Sequence, residues 1–283
     1  MSILDLIGNT PTVELWQNVY VKLEMKNPSG SVKDRAAKAI MESLNLPRGS
    51  RIVEATSGNF GISLALVSAV MGYSLTVVMP ESASVERERI ITLYGGRVVR
   101  IRGDMRAARR LAREMAVENN AIMPDQFSNP KNVLAHYTTT APEILREVGK
   151  VDIFVSGVGS GGSLTGVAKY LKERNQSTIV VAVHPSEGSR IEGIGAGFVP
   201  PIFDRSLVDE DVFVDLDDAI NSSRFLARKY GIMAGISSGA AVFAAKILSD
   251  RPANEGKRIV AILPDGGDRY YSTALFDNCN LTS

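Results

Sequence analysis

The chain has 283 residues, with 32 Lys and Arg against 31 Asp and Glu, so its formal net charge is +1. This length can bury a full core in one or two domains, and the balanced charge argues against nucleic acid or an anionic membrane as a partner. One cysteine, Cys279, and two histidines, His136 and His184, exclude a disulfide framework and any metal site built on several cysteines. We therefore expect no bound metal, and any chemistry should depend on Lys, Ser, Thr, Asn or an organic cofactor.

Short apolar runs alternate with helix-like stretches along the chain. The predicted strands are residues 19–23, 51–54, 74–79, 97–101, 152–155, 179–183, 212–214 and 258–263. Several of them carry Val and Ile at both odd and even positions, which is typical of parallel strands covered on both faces. The predicted helices are residues 59–71, 84–94, 105–119, 142–148, 163–173, 216–230 and 238–248, and a further helix opens near residue 33. This alternation predicts an α/β fold with right-handed crossovers.

The stretch 123–130 contains two prolines and polar residues between two regular halves, so it predicts a crossing between two domains. No apolar run approaches the ~20 residues that a membrane-spanning helix needs. The first residues carry an acidic side chain, Asp5, and lack the basic region of an export signal. We therefore expect a cytoplasmic protein without a membrane span.

The first candidate functional segment is residues 26–35, because ligands of open α/β sheets bind beyond the carboxyl ends of strands. It follows the strand 19–23 and places Lys33 near a helix N-terminus, where the helix dipole disfavours a cation. Two interpretations fit this position: an exposed lysine in a surface turn, or an amine with a lowered pKa that can form a Schiff base. The segment by itself does not decide between them.

The second candidate segment lies between the strand 51–54 and the helix 59–71. It brings the side chains of Thr56, Ser57 and Asn59 and the backbone of Gly58 and Gly61 to one helix N-terminus. A single N-cap needs one hydroxyl or amide, so three such side chains with two glycines are more than a cap requires. We predict a site for a carboxylate or a phosphate.

The third candidate segment, residues 156–166, has five glycines within ten residues between a strand and a helix. Glycine lets the backbone approach a phosphate closely. Dinucleotide sites use similar turns and need an acidic residue about 20 positions further on, and Glu187 keeps that alternative open. A nucleoside triphosphatase is disfavoured because no lysine follows at P-loop spacing.

Segments 235–239 and 263–270 also surround helix starts, and both could be purely structural. A lysine anchor, an anion site and a phosphate loop without a metal fit a cofactor that bears an aldehyde and a phosphate. Pyridoxal 5′-phosphate is such a cofactor.

The order of these motifs resembles the cysteine synthase (O-acetylserine sulfhydrylase) family of fold-type II pyridoxal-phosphate enzymes, with mixed A-type and B-type features. The resemblance runs from Ile7 to about Phe276. The motifs that carry it are IGNTP at 7–11, NPSGSVKDR at 27–35, TSGN at 56–59, QFSNP at 126–130, GSGGS at 159–163, GIGAGF at 193–198 and GISSG at 235–239. Several motifs in order are far more specific than any one of them.

The resemblance implies a tryptophan synthase β-like architecture, with two three-layer α/β domains and mostly parallel, twisted sheets. Residues 1–133 would form the smaller, mobile N-terminal domain, and residues 134–283 the larger, cofactor-binding domain. The segment 11–34 would pair with the larger domain. The family also implies a homodimer that acts on small-molecule substrates.

Each site residue has a role that the resemblance implies. Lys33 would be the catalytic residue, forming the internal aldimine and then serving as general base at Cα. The residues that would bind pyridoxal phosphate are Lys33, Asn59, Gly159, Ser160, Gly161, Gly162, Ser163 and, at the pyridine nitrogen, Ser237. The residues that would bind the substrate are Thr56, Ser57, Asn59, Gln126 and Gly193.

The implied reaction is a β-replacement that makes L-cysteine from O-acetyl-L-serine, or O-phospho-L-serine, and sulfide through an aminoacrylate intermediate. Within the family, the alternatives are an enzyme of the cystathionine β-synthase type and a lyase that releases H2S from cysteine. From a different class, the chain could be a catalytically silent ligand-binding scaffold, although intact Lys33 and Asn59 argue against silence. A nicotinamide oxidoreductase is a poorer alternative.

Three residues depart from the family pattern or add to it. Phe60 stands where most members have Thr, which removes a hydroxyl beside the substrate carboxylate. Gly266 stands where a serine usually meets the pyridine nitrogen, which makes Ser237 the candidate for that contact. Arg190 lies in a short loop and could meet an anionic donor at the mouth of the site, or pair with a surface carboxylate.

Overall fold

A computed structural model describes residues 1–277 of the chain, so Cys279 lies outside the described residues. Within them, nine strands form two separate sheets. The strands are β1 (Thr12–Trp16), β2 (Val19–Leu23), β3 (Arg51–Ala55), β4 (Ser74–Pro80), β5 (Arg97–Ile101), β6 (Ile153–Gly157), β7 (Ile179–Pro185), β8 (Glu210–Val214) and β9 (Ile259–Leu263). The larger sheet has the order β1-β2-β9-β6-β7-β8, and the smaller sheet has the order β3-β4-β5.

The helices alternate with the strands. They are α1 (Lys33–Leu44), α2 (Asn59–Met71), α3 (Val85–Leu93), α4 (Met105–Glu118), α5 (Pro130–Ala135), α6 (Ala141–Val148), α7 (Gly162–Arg174), α8 (Leu216–Tyr230) and α9 (Ile236–Ser249). A π-helical turn, His136–Thr140, joins α5 to α6. Gly231 follows α8 in the left-handed conformation that the sequence predicts for a helix end. Among residues 1–277, no helix combines the length and the apolar character needed to cross a membrane.

The larger sheet is parallel except for one pair, β1 with β2. The early strand β2 pairs with the last strand, β9, with Val19 opposite Ile259 and Leu23 opposite Leu263. Helices cover both faces: α8 and α9 pack on one, and α6 and α7 on the other. The beginning of the chain is therefore part of the sheet that its second half builds, while the domain boundary at residue 133 stays a prediction.

The smaller sheet is parallel throughout and is also covered on both faces. Ile52, Leu75 and Val77 point into a core shared with α1 and α2. Val53 and Val78 pack on the opposite face against α4. Burial of alternate residues on two faces explains why β3 and β4 carry Val and Ile at both parities.

All eight predicted strands and all predicted helices are present, with ends that differ by a few residues. The α/β class is confirmed. The strand β1 was not predicted, because it lies at a sheet edge and two of its residues, Val13 and Glu14, are exposed. Three helices, which begin at Lys33, Asn59 and Gly162, follow strands β2, β3 and β6, and a fourth, which begins at Ile236, follows α8. Their N-terminal regions surround the site described next.

Candidate active site

One cavity is enclosed by the loops that follow β2, β3 and β6, by residues 193–196 and by the start of α9. The predicted site residues that line it are Lys33, Thr56, Ser57, Asn59, Gln126, Gly159, Ser160, Gly193 and Ser237. An adjoining cavity shares Lys33 and Gly159 and adds Gly161 and Ser163. Of the predicted site residues, Gly162 alone lines neither cavity. It is the first residue of α7 and packs against Asn132.

Lys33 is the first residue of α1, and its side chain lines both cavities. Burial lowers the pKa of its amine from 10.5 to about 8, and the negative charge of Asp265 opposes the decrease. Among the described residues, no group forms a hydrogen bond or an ion pair with this amine. The sequence predicts a lowered pKa from the helix dipole, whereas the structure attributes it chiefly to desolvation.

The N-terminus of α2 faces the same cavity without a side-chain cap. The Thr56 hydroxyl accepts a hydrogen bond from the Gly58 amide at 3.1 Å, which orders the loop just before the helix. The first amides of a helix have no carbonyl partner within it, so they remain available to an anion. Ser57 and Gln126 also line this part of the cavity, where the sequence predicts a carboxylate site.

The N-terminus of α7 forms the opposite wall, and its N-cap Gly161 has φ +83° and no capping side chain. A Cβ on Gly159 would overlap the carbonyl oxygen of Gly193, and a Cβ on Gly161 would lie 2.6 Å from Phe203 Cβ. Only glycine fits at these two positions. Exposed backbone amides at a helix N-terminus form a site for phosphate.

The Asn59 side chain is anchored to the loop after β9. Its Nδ2 donates to Asp265 Oδ2 at 2.6 Å, and its Oδ1 accepts from Arg269 Nη1 at 3.0 Å. Tyr270 donates its hydroxyl hydrogen to the same Asp265 oxygen at 2.7 Å. A lysine amine, an oriented amide and two helix N-termini thus meet around one cavity.

The family model described as "Pyridoxal-phosphate dependent enzyme" matches residues 3–265. The chain belongs to this family. Pyridoxal phosphate is its cofactor, and the tryptophan synthase β-like, fold-type II architecture expected from the sequence is confirmed.

Relatives of this pyridoxal-phosphate enzyme align over nearly the whole chain. A protein named cysteine synthase from Staphylococcus aureus is 41% identical, covering 97% of this chain and 96% of its own. The crystal structure of O-ureido-L-serine synthase is 42% identical with a TM-score of 0.95, covering 100% and 96%. A hydrogen sulfide-producing enzyme from Fusobacterium nucleatum is 38% identical with a TM-score of 0.91, covering 95% and 99%.

The residues present fit the cofactor of this enzyme family. The free amine of Lys33 suits an aldehyde, and the Gly159–Gly161 backbone leaves a cradle that a Cβ would fill. Asn59 and Ser237 line the same cavity and supply an amide and a hydroxyl, which suit the polar substituents of the ring. Gly266, which replaces a serine of the family, lies outside the cavity lining, so Ser237 remains the hydroxyl proposed for the pyridine nitrogen.

Arg87 of α3 lines the cavity of the enzyme, although no sequence motif marks it as a site residue. It is buried, forms an ion pair with Glu192, and lies over the ring of Tyr270 at 4.9 Å. Arg190, singled out from the sequence, is exposed and lines neither cavity, and no ion pair with it occurs in the described part of the chain. The sequence signal for Arg87 was a cation in the first turn of α3, a position that the helix dipole disfavours.

Two further polar residues, Asn132 and His136, contact the glycine-rich loop 159–163. Asn132 donates to Ser160 Oγ at 3.1 Å, and its own Oδ1 is buried without a partner. His136 contacts Thr140 Oγ1 at 2.9 Å and Ser163 Oγ at 3.5 Å. Burial, with the charge of Arg35, lowers the pKa of His136 to about 3, so the imidazole is neutral. Its contacts make His136 a structural hydrogen-bonding residue.

Proposed function

We propose that this protein makes L-cysteine from O-acetyl-L-serine and sulfide by pyridoxal-phosphate-dependent β-replacement. The observation that carries the proposal is the Lys33 amine, which has a pKa of about 8 and no hydrogen bond or ion pair within residues 1–277, in two adjoining cavities with two uncapped helix N-termini. One N-terminus suits the cofactor phosphate and the other suits the carboxylate of an amino acid. The 41% identical relative named cysteine synthase supports the same reaction.

In this mechanism, bound pyridoxal phosphate supplies an electron sink for negative charge at Cα of the amino acid. Thr56, Ser57, Gln126 and the backbone amide of Asn59, at the N-terminus of α2, hold the substrate carboxylate and so orient the Cα–H bond toward Lys33. The Lys33 amine takes the α-proton, a task suited to a base whose pKa lies near neutrality.

The second half of the reaction exchanges the groups on Cβ. Acetate departs with the electron pair of the Cβ–O bond, hydrosulfide supplies the pair for the new Cβ–S bond, and Lys33 returns its proton to Cα. Phe60 and Phe127 line the cavity and exclude water, which protects the reacting carbon from hydration.

The same residues could serve other β-substituents. The neighbours named O-ureido-L-serine synthase and hydrogen sulfide-producing enzyme support a runner-up: a different nucleophile, as in a cystathionine β-synthase-type enzyme, or release of H2S from cysteine. O-phospho-L-serine remains a second donor to test. Arg87 lines the cavity and could bind the phosphate group of this donor, whereas Arg190 does not line it. A silent scaffold is disfavoured because Lys33 and Asn59 both line the cavity.

The test begins with the visible spectrum of the purified protein. A yellow band that Lys33→Ala abolishes supports the proposal, whereas a colourless protein that cannot be reconstituted with pyridoxal phosphate contradicts it. Steady-state kinetics then compare O-acetyl-L-serine, O-phospho-L-serine and L-serine as donors with sulfide. H2S release from L-cysteine without cysteine synthesis from any donor would establish the lyase instead. A homodimer is proposed from the family resemblance, and sedimentation measures it. A cytoplasmic location stays a prediction of the sequence.

A further inference from the structure

The two ends of the Asn59 amide are held by opposite charges. Asp265 is fully buried and accepts from Nδ2, while Arg269, 2% exposed, donates to Oδ1. A rotated amide would bring its oxygen against the carboxylate and its NH2 group against the guanidinium. Both contacts would be repulsive, so the partners permit one orientation only. Because Asp265 uses one of the two N–H groups, a single N–H remains for another acceptor.

Neither charged partner can easily turn away. Asp265 Oδ2 also accepts from the Tyr270 hydroxyl at 2.7 Å. Arg269 donates through Nη2 to the Ser29 carbonyl oxygen, and a Cβ at Gly30 would overlap the same nitrogen. Gly30 therefore leaves the space that the guanidinium occupies.

The arrangement also connects Asn59 to the loop that carries the catalytic amine. Ser29, which accepts from Arg269, lies four residues before Lys33. The Val32 amide donates to the carbonyl oxygen of Pro264 at 2.8 Å, next to Asp265. The position of Lys33 and the orientation of Asn59 thus depend on one small group of buried contacts.

We propose that Asp265 and Arg269 are positioning residues, which fix the Asn59 amide so that its remaining N–H, and not its oxygen, faces the ring oxygen of bound pyridoxal phosphate. This inference rests on the proposed role of Asn59 as a cofactor-binding residue. A fixed N–H donor stabilises the ionised ring oxygen, and a freely rotating amide stabilises it less. The chain thereby selects one ionisation state of its cofactor through residues that do not touch it.

The test measures binding of pyridoxal phosphate to the cofactor-free protein and the pH midpoint of the bound chromophore. Asp265→Asn and Arg269→Met should each weaken binding about tenfold and raise the pH at which the ring oxygen ionises. The control is Asp217→Asn, the same charge change at an exposed residue of α8, outside the loop that carries Asp265 and Arg269. It should alter binding less than twofold.

A double-mutant cycle separates positioning from general damage to the fold. In the Asn59→Ala background, Asp265→Asn and Arg269→Met should each cause a much smaller loss of binding than in the wild type, since there is no amide left to orient and only their contacts with other residues are lost. Losses that simply add in this background would overturn the proposal, as would unchanged affinity and midpoint in the single variants. Where Arg269→Met fails to fold, Arg269→Lys enters the same cycle.

Activity is not needed for either readout. A protein that binds pyridoxal phosphate but makes no cysteine would contradict the proposed function and leave this test intact. Conversely, cysteine synthesis with an additive cycle would overturn only the positioning role.

Discussion

The guanidinium of Arg35 donates two hydrogen bonds to the carboxylate of Glu143, Nη1 to Oε1 and Nη2 to Oε2, both of 2.7 Å. Arg35 lies two residues after Lys33 in α1, and Glu143 lies in α6. A second buried carboxylate, Glu24, meets Arg35 Nε at 2.8 Å. This pairing fixes the lysine-bearing end of α1 against a helix that packs on the larger sheet.

Replacing Arg35 with Met should destabilise the protein strongly, because the buried Glu24 would lose its ion pair and Glu143 would lose Arg35 and keep Lys22. Loss of one partner from a buried ion pair costs about 3–5 kcal/mol. Urea unfolding monitored by circular dichroism measures the change in the free energy of unfolding. Arg89→Met, at an exposed arginine of α3, is the matched control and should cost under ~0.5 kcal/mol. A cost for Arg35→Met no larger than the control's would contradict the role of the pair.

The same pair predicts how stability depends on acid. Burial alone would raise the pKa of Glu143, but hydrogen bonds and charge from Arg35 outweigh it and lower the pKa from 4.5 to about 2. A carboxyl whose pKa is lower in the folded state stabilises fully above its unfolded pKa and loses that contribution as the pH falls through its folded pKa. The stability difference between the wild type and Arg35→Met should therefore shrink as the pH falls from 4.5 to 2. Unfolding midpoints across this range test it, and a constant difference would count against it.

Lys33 should react with added pyridoxal phosphate at a lower pH than ordinary lysines. With a pKa of about 8, about a tenth of the amines are neutral at pH 7, against less than a thousandth for a pKa of 10.5. Stopped-flow absorbance of the cofactor-free protein should give a rate that rises with pH to a plateau above a midpoint near 8. Lys33→Ala should show no such phase. A midpoint near 10.5 would mean that burial does not depress the pKa.

Gly159→Ala should weaken binding of pyridoxal phosphate at least tenfold, because a Cβ there would overlap the Gly193 carbonyl oxygen and push residues 193–196 off the cavity. Fluorescence titration of the cofactor-free protein measures the dissociation constant. Gly256→Ala is the control: this glycine has φ +73° and no atom within 4 Å of its would-be Cβ. The control should lose about 1 kcal/mol of stability from backbone strain but bind the cofactor normally. Equal affinities in the two variants would refute the steric explanation.

Sequence reasoning succeeded where the signal was local. Buried parallel strands carry apolar residues at both parities, and several helix starts carry glycine, serine or asparagine, so the strands from β2 to β9 and every α-helix except α5 could be predicted. The candidate loops followed from their position beyond strand ends. That all but one of the predicted site residues line the two cavities reflects this rule, because carboxyl ends of parallel strands meet at one edge of each sheet.

The residues that could not be predicted from the sequence depend on partners that lie far away along the chain. In the sequence, Arg87 resembles an ordinary arginine of an exposed helix. Its burial depends on the ion pair with Glu192, the ring of Tyr270 and the space left by the absent side chain of Gly58. For Asp265 and Arg269, the sequence predicts only turn positions after a strand. Their contacts with Asn59 span more than 200 positions of sequence.

The sequence by itself determined the residue types that pyridoxal-phosphate chemistry needs: an amine at Lys33, an amide at Asn59 and a glycine-rich backbone at 159–162. It also determined the order of strands and helices, since both depend on short-range periodicity. Only the tertiary structure decided that the Lys33 amine is desolvated, that Arg87 rather than Arg190 reaches the cavity, and that Asn59 has one allowed orientation. Desolvation and charge pairing depend on neighbours brought together by folding, and no local pattern records them.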